Sequence, residues 1–293
     1  MSADDRLVAV TGATGRQGNA VTRHLLRNGW RVRALTRTPD SKRAQALKGL
    51  GADVVRADFD EPDTLRAAFH DAHGVYSVQN PMISGIDGEI RQGIAVADAA
   101  RDAGVSHVVY GSAGTGASDT GVGSWESKLV IEAHMRQLGL PLTVLRPMAF
   151  MELMTDRGYF PPASTWHVMP KLMGADRPVV WLSVDDLGAI AALAFAEPSR
   201  FVGADLTLAA DVHSIEDCRA IWRGVTGKAP RRIPMPVWLF ERIVGDDLIA
   251  MWRWLRTGSV PIDTSETLRI LPTAVTVRQW LSAQQAPREP HPA

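Results

Sequence analysis

Gly12, Gly15 and Gly18 recur every third residue in LVAVTGATGRQG, residues 7–18. Their chemistry lies in what they lack. Without side chains the backbone can turn tightly and bring a phosphate against the N–H groups at a helix start. The apolar run LVAVT before them reads as a strand, and QGNAVTRHLLRNG after them reads as a helix. That setting makes a glycine triplet a candidate phosphate loop for a dinucleotide. Thr14, Arg16 and Gln17 share the loop and join the three glycines as cofactor-binding candidates.

The second apolar run ends ALTRTP. Proteins that select NAD place an acid near such a strand end for the ribose 2′-hydroxyl. Here the chain offers Arg37, with Lys42 shortly after. A guanidinium grips a 2′-phosphate through paired hydrogen bonds, which a carboxylate would repel. One such contact contributes about 1.5–3 kcal/mol, so NADP(H) is expected over NAD(H) by roughly tenfold or more. In ADFDEPDTL, Asp58 is expected to accept from the adenine amino group while Phe59 lies beside the ring. Capping of the next helix is expected from Asp60 or a neighbour. The fourth run ends SVQNP, which offers Gln79 and Asn80 to the ribose and nicotinamide, with a plain turn as the alternative.

These residues need a scaffold, and the pattern around them supplies one. Short β-rich runs (RVRALT, ADVVRA, GVYSVQ, HVVYGS, LTVLRP) alternate with stretches apolar at three-to-four spacing. The alternation predicts an α/β fold, a Rossmann-type doubly wound parallel sheet with helices on both faces. Residues 1–150 are expected to form this domain, with a strand–helix return around 179–197. A smaller, mostly helical domain is expected over 151–283, ahead of a flexible polar tail at 284–293. Basic and acidic residues both total 32. That balance argues against nucleic acid as a partner. No apolar run is long enough to span a bilayer, and the opening MSADDRLVAV does not read as a secretory leader. A single cysteine, Cys218, excludes an internal disulfide and a cysteine-built metal cluster. The expectation is a cytoplasmic protein without a metal, monomeric or homodimeric.

The order and spacing of VTGATGRQG, ALTRTP, ADFDEPDTL, EIRQGIAVADAARDAGVSHVVYGS, ESKLVIEAHMRQLGLPLTVLRP and SVDDLGAIAALAF resemble the NmrA-like branch of the atypical short-chain dehydrogenases. The likeness runs through DDLIAMWRWLR and TAVTVRQWL, so it covers nearly the whole chain. Late in the chain it is similar to the NADPH-sensing members of that family. The resemblance implies NADP(H) on the glycine loop, Arg37 at the 2′-phosphate and Lys128 at the ribose. It also implies the backbone of Phe150, Met151 and Leu153 beside the nicotinamide. The sensing members carry a second basic residue where this chain has Ser41.

Active short-chain reductases place a tyrosine four residues before the helix lysine, where it donates a proton to the reduced carbonyl. In GSWESKLV that position is Ser124, whose hydroxyl is a far weaker acid. Lys128 remains as a candidate catalytic group, with Tyr159 and Ser112; His134 and His167 are further proton donors to weigh. Tyr76 and Tyr110 fall within strands and read as core. Two functions follow. One is an NADPH-dependent reductase of a quinone-like or conjugated carbonyl substrate, whose delocalised product needs little acid help. The methionines and tryptophans after residue 147 would line its pocket, or else form ordinary core. The alternative is a non-catalytic NADPH/NADP sensor that regulates a protein partner. A scaffold with a vestigial site is a third, blander possibility.

Overall fold

The computed structural model describes residues 6–156, 158, 164–231, 235–258 and 260–285. Its first half alternates strand and helix: β1 (Leu7–Val10), α1 (Arg16–Arg27), β2 (Arg31–Thr36), α2 (Lys42–Gly49), β3 (Asp53–Arg56) and α3 (Pro62–Phe69). The alternation continues with β4 (Gly74–Ser77), α4 (Pro81–Asp102), β5 (His107–Gly111), α5 (Gly123–Gln137) and β6 (Leu142–Pro147). Next come β7 (Ala149–Phe150), α6 (Met169–Met173), β8 (Val179–Leu182), α7 (Val184–Ala196), α8 (Pro198–Phe201), β9 (Asp205–Leu208) and β10 (Asp211–His213). The chain ends in α9 (Ile215–Thr226), α10 (Val237–Val244), α11 (Asp246–Thr257), α12 (Ser265–Ile270) and α13 (Val277–Gln285). The chain groups into two units. One runs to Pro147 and resumes over Val184–Leu208; the other takes Met148–Ser183 and the chain from Ala209 onward.

The larger unit holds a seven-stranded sheet in the order β3-β2-β1-β4-β5-β6-β9, and every pairing in it is parallel. All residues of β1, β4, β5 and β6 are buried, as expected of central strands covered on both faces. This is the Rossmann-type architecture. The helices approach closely where a side chain is missing. A Cβ on Gly93 of α4 would lie 2.4 Å from Ile131 Cδ1 of α5, and one on Gly188 of α7 would lie 2.7 Å from the Ala20 backbone of α1.

The return was expected near 179–197, but the structure divides that stretch. β8 joins β7 and β10 in a separate three-stranded sheet, while α7, α8 and β9 complete the larger unit. The smaller unit is built around Met151, Met154, Trp166, Met169, Met173, Trp181 and Trp252, all buried. These side chains are core. The tryptophan-rich segment forms α10 and α11, with Phe240 stacked on Trp252 at 5.5 Å, while Trp238 and Ile243 remain exposed. Cys218 is fully buried in α9, and burial pushes its thiol up, away from nucleophilic use. Residues 284 and 285 extend α13; the rest of the expected tail lies outside the described residues.

Candidate functional site at the carboxyl ends of the parallel strands

The glycine loop joins β1 to α1. Its entry is clamped by Thr11, whose Oγ1 accepts from Val78 N at 2.9 Å, so the ends of β1 and β4 are held together. Gly12 adopts φ +58°, a conformation that carries a penalty for residues with a Cβ. A Cβ on Gly18 would lie 2.4 Å from Gly12 O and 2.8 Å from Thr11 O, so the loop could not close. Gly15 differs. It is exposed, and a Cβ there would crowd only Gly12 O, at 3.1 Å. Thus Gly12 and Gly18 are needed by the loop's own path, and Gly15 leaves its outer face clear. No side chain caps the start of α1. Thr14 and Arg16 are partly exposed beside this helix start. Gln17 turns inward instead, its Oε1 accepting from Tyr76 Oη at 3.0 Å.

At the end of β2, Arg37 is exposed and makes no ion pair among the described residues. Lys42 is exposed at the first position of α2. Ser41, between them, caps that helix through Oγ and the N–H of Ala44 at 3.3 Å. After β3, Asp58 Oδ1 accepts from Asp60 N at 3.1 Å, and Phe59 packs on the edge of the core. Asp60 does not cap α3 as expected. Its carboxylate reaches Arg91 at 3.2 Å and Gln92 at 2.9 Å on α4, and no side chain caps α3. After β4, Gln79 is buried; its Nε2 donates to Ser77 Oγ at 3.1 Å and its Oε1 has no partner among the described residues. Asn80 caps α4, its Oδ1 accepting from Met82 N at 3.0 Å.

Lys128 in the second turn of α5 is only 6% exposed. Its Nζ donates to Glu89 Oε1 at 2.8 Å and lies 5.9 Å from the centre of the Tyr110 ring. The other Glu89 oxygen accepts from Ser127 Oγ at 2.5 Å. An ammonium has three donors, and among the described residues Lys128 commits one of them. Ser112 is fully engaged elsewhere. Its Oγ donates to Glu132 Oε1 at 2.6 Å and accepts from Arg146 at 3.1 Å. Arg146, itself buried, grips both Glu132 oxygens and both Asp205 oxygens. Burial works against its charge, but the hydrogen bonds to Asp205 and Glu132 prevail and raise its pKa.

Candidate acids are scarce among the described residues. Burial raises the pKa of the Tyr76 phenol. Burial, with the Glu89 and Glu132 carboxylates nearby, drives that of Tyr110 further up. His134 is paired with Asp98 at 2.9 Å, and His167 Nε2 lies 3.2 Å from Lys171 Nζ. Tyr159 lies outside the described residues. Phe150, Met151 and Leu153 belong to the smaller unit, with Met151 buried and Leu153 packed on its core. No cluster of three potential metal ligands occurs among the described residues, and no helix there is long and apolar enough to cross a membrane. Glu89, Glu132 and Arg146 are not among the residues singled out by sequence. Their importance arises from helix crossings and strand ends, which leave no local motif.

The comparisons with known proteins agree with this architecture. A family model described as the NmrA-like family matches residues 4–275. The chain is 32% identical over 259 residues to the NmrA-like family domain-containing oxidoreductase FrzB of Cladobotryum sp, covering 79% of this chain and 77% of that protein. Its fold is similar to that of NmrA, a negative transcriptional regulator, in complex with NADP, at 21% identity and a TM-score of 0.76 over 95% of each chain. It is also similar to Citrobacter sp. triphenylmethane reductase complexed with NADP(H). There the identity is 21% and the TM-score 0.77, over 94% of this chain and 99% of that one. With the family model matching residues 4–275 and a relative 32% identical over 79% of the chain, the chain belongs to the NmrA-like family.

Proposed function

We propose that this protein binds NADP(H) and reduces a quinone-like or conjugated carbonyl compound by direct hydride transfer. The observation that carries the reading is Arg37: an exposed guanidinium with no ion pair among the described residues, at the strand end next to the glycine loop. Three further features fit a dinucleotide. The start of α1 has no side-chain cap, Gly15 is exposed, and the buried Gln79 Oε1 has no partner among the described residues. In this reading the backbone of Gly12, Thr14, Gly15, Arg16, Gln17 and Gly18 receives the pyrophosphate. Arg37 and Lys42 receive the 2′-phosphate, Asp58 and Phe59 meet the adenine, and Gln79 and Asn80 stand near the ribose. Lys128 directs its two uncommitted donors at the ribose hydroxyls. The bound nicotinamide supplies the hydride. Because Tyr76 and Tyr110 are poor acids and Ser112 is committed to Glu132, the substrate is one whose product spreads its charge; positioning does most of the work.

The name of the Citrobacter relative, a triphenylmethane reductase, supports that substrate class. The name of NmrA, a transcriptional regulator, supports a second reading: a nucleotide-occupancy sensor that acts on a protein partner. The same scarcity of acids favours it. Such a sensor needs different affinities of its two states for the nucleotide. The single buried cysteine accords with a reducing compartment such as the cytoplasm. Calorimetric titration with NADPH and NADH, followed by a turnover screen over quinones and aldehydes, tests the proposal. Binding with steady NADPH oxidation supports the reductase, binding without turnover supports the sensor, and no heat with either nucleotide overturns both.

A further inference from the structure

We infer that Glu89 is the positioning residue for Lys128, holding its ammonium in the one place where the remaining donors can serve a bound dinucleotide. The inference rests on the NADP(H) reading above and extends it to a residue on a different helix. Glu89 is completely buried, and a buried carboxylate is retained at a cost unless it is paired and hydrogen-bonded. Both of its oxygens are taken by consecutive residues of α5, Lys128 Nζ at 2.8 Å and Ser127 Oγ at 2.5 Å. The carboxylate therefore reads the position of α5 at two points. It also has no freedom to retreat. One turn further along, Gly93 of α4 meets Ile131 of α5 so closely that a single added carbon would lie 2.4 Å from it. The Tyr110 ring closes another side of the ammonium at 5.9 Å. A lysine side chain is long and flexible; here it is fixed at its tip by Glu89, the one hydrogen-bond acceptor it meets among the described residues, and it keeps 6% of its surface exposed.

A binding cycle tests this on the full chain. NADPH affinity is measured by nicotinamide fluorescence for wild type, Glu89→Gln, Lys128→Met and the double variant, with circular dichroism and melting curves for each. Glu89→Gln keeps the volume and an acceptor but removes the charge. It is expected to weaken NADPH binding about tenfold when Lys128 is present. In the Lys128→Met background the same change is expected to alter binding less than about twofold. The double variant, with no unpaired buried charge, is expected to melt above the Lys128→Met single variant. Glu89→Asp, which keeps the charge but shortens the reach, is expected not to restore wild-type affinity. Equal weakening by Glu89→Gln in both backgrounds overturns the inference while leaving the NADP(H) reading intact, as does wild-type affinity in Glu89→Gln. Absence of NADPH binding by the wild type overturns the reading and the inference together.

Discussion

Tyr76 donates its phenolic hydrogen to Gln17 Oε1 at 3.0 Å, and so ties the end of β4 to the first turn of α1. The bond lies inside the protein, beneath the glycine loop. Tyr76→Phe removes the donor and leaves the amide oxygen without it. The expected loss is about 1 kcal/mol, a fall in Tm of roughly 2–4 °C. Differential scanning calorimetry checks it; an unchanged Tm would show the bond contributes nothing.

The glycines separate by what they are for. Gly18→Ala is expected to destabilise the larger unit by several kcal/mol, because the new methyl meets backbone at 2.4 Å that cannot move aside. Gly15→Ala is expected to leave the Tm within a few degrees yet weaken NADPH binding, since the position is exposed and the new carbon meets only Gly12 O, at 3.1 Å. Melting curves and titrations on the two variants decide the matter; comparable thermal losses would contradict the division.

Arg37→Ala is expected to weaken NADPH binding at least several-fold and to leave NADH binding within about twofold. Titration of both nucleotides at fixed salt is the measurement. Equal losses would mean that Arg37 does not read the 2′-phosphate.

Arg146 sits between two acids, so its removal strands buried charge. Arg146→Met is expected to cost about 3–5 kcal/mol. Arg146→Lys is expected to recover little, because an ammonium cannot form the paired bonds to Glu132 and Asp205 that the guanidinium makes. As a contrast, Arg66→Ala, which breaks an exposed pair with Asp63, is expected to change stability by less than about 1 kcal/mol. Denaturant melts of all three variants rank these effects.

His107 predicts an acid weakness. It is buried, with Nε2 2.8 Å from Thr143 Oγ1 and its ring edge-on to Phe195. Burial lowers its pKa from 6.5 to about 4, with His73 adding to the effect. The unfolded chain therefore takes up this proton first as the pH falls. The stability contribution is intact above about pH 6.5 and is lost progressively towards pH 4, at most about 3 kcal/mol. In His107→Gln the fall in urea midpoint between pH 7 and pH 5 is expected to be shallower than in wild type. Parallel curves would remove His107 as the cause.

Much of the larger unit was legible because its signals are local. The first six apolar runs carry β1 to β6, and the glycine triplet falls at the junction of β1 and α1. Other features depended on contacts that a linear pattern does not hold. Pro81 and Gly85 look like breakers, yet Pro81 is a favoured first helical residue and Gly85 only kinks α4 at φ +74°. β7 has two residues and β10 three, too few to show alternation. Arg37 and Lys42 are exposed beside the loop they were read from, but the inward turn of Gln17 depends on Tyr76, far off in the chain. Glu89 and Glu132 look like ordinary helix acids until α4, α5 and β6 come together.

The seventh strand of the sheet, β9, is separated from β6 by β7, α6, β8, α7 and α8. On the ribosome this means that the nascent sheet waits with β6 as an open edge until residue 208 has emerged. During that interval Arg146 lacks Asp205 and has only Glu132 to neutralise it. A bare parallel edge is a template for wrong pairing. Translation pauses or truncations between residues 147 and 205 should therefore yield more aggregate than the full chain does.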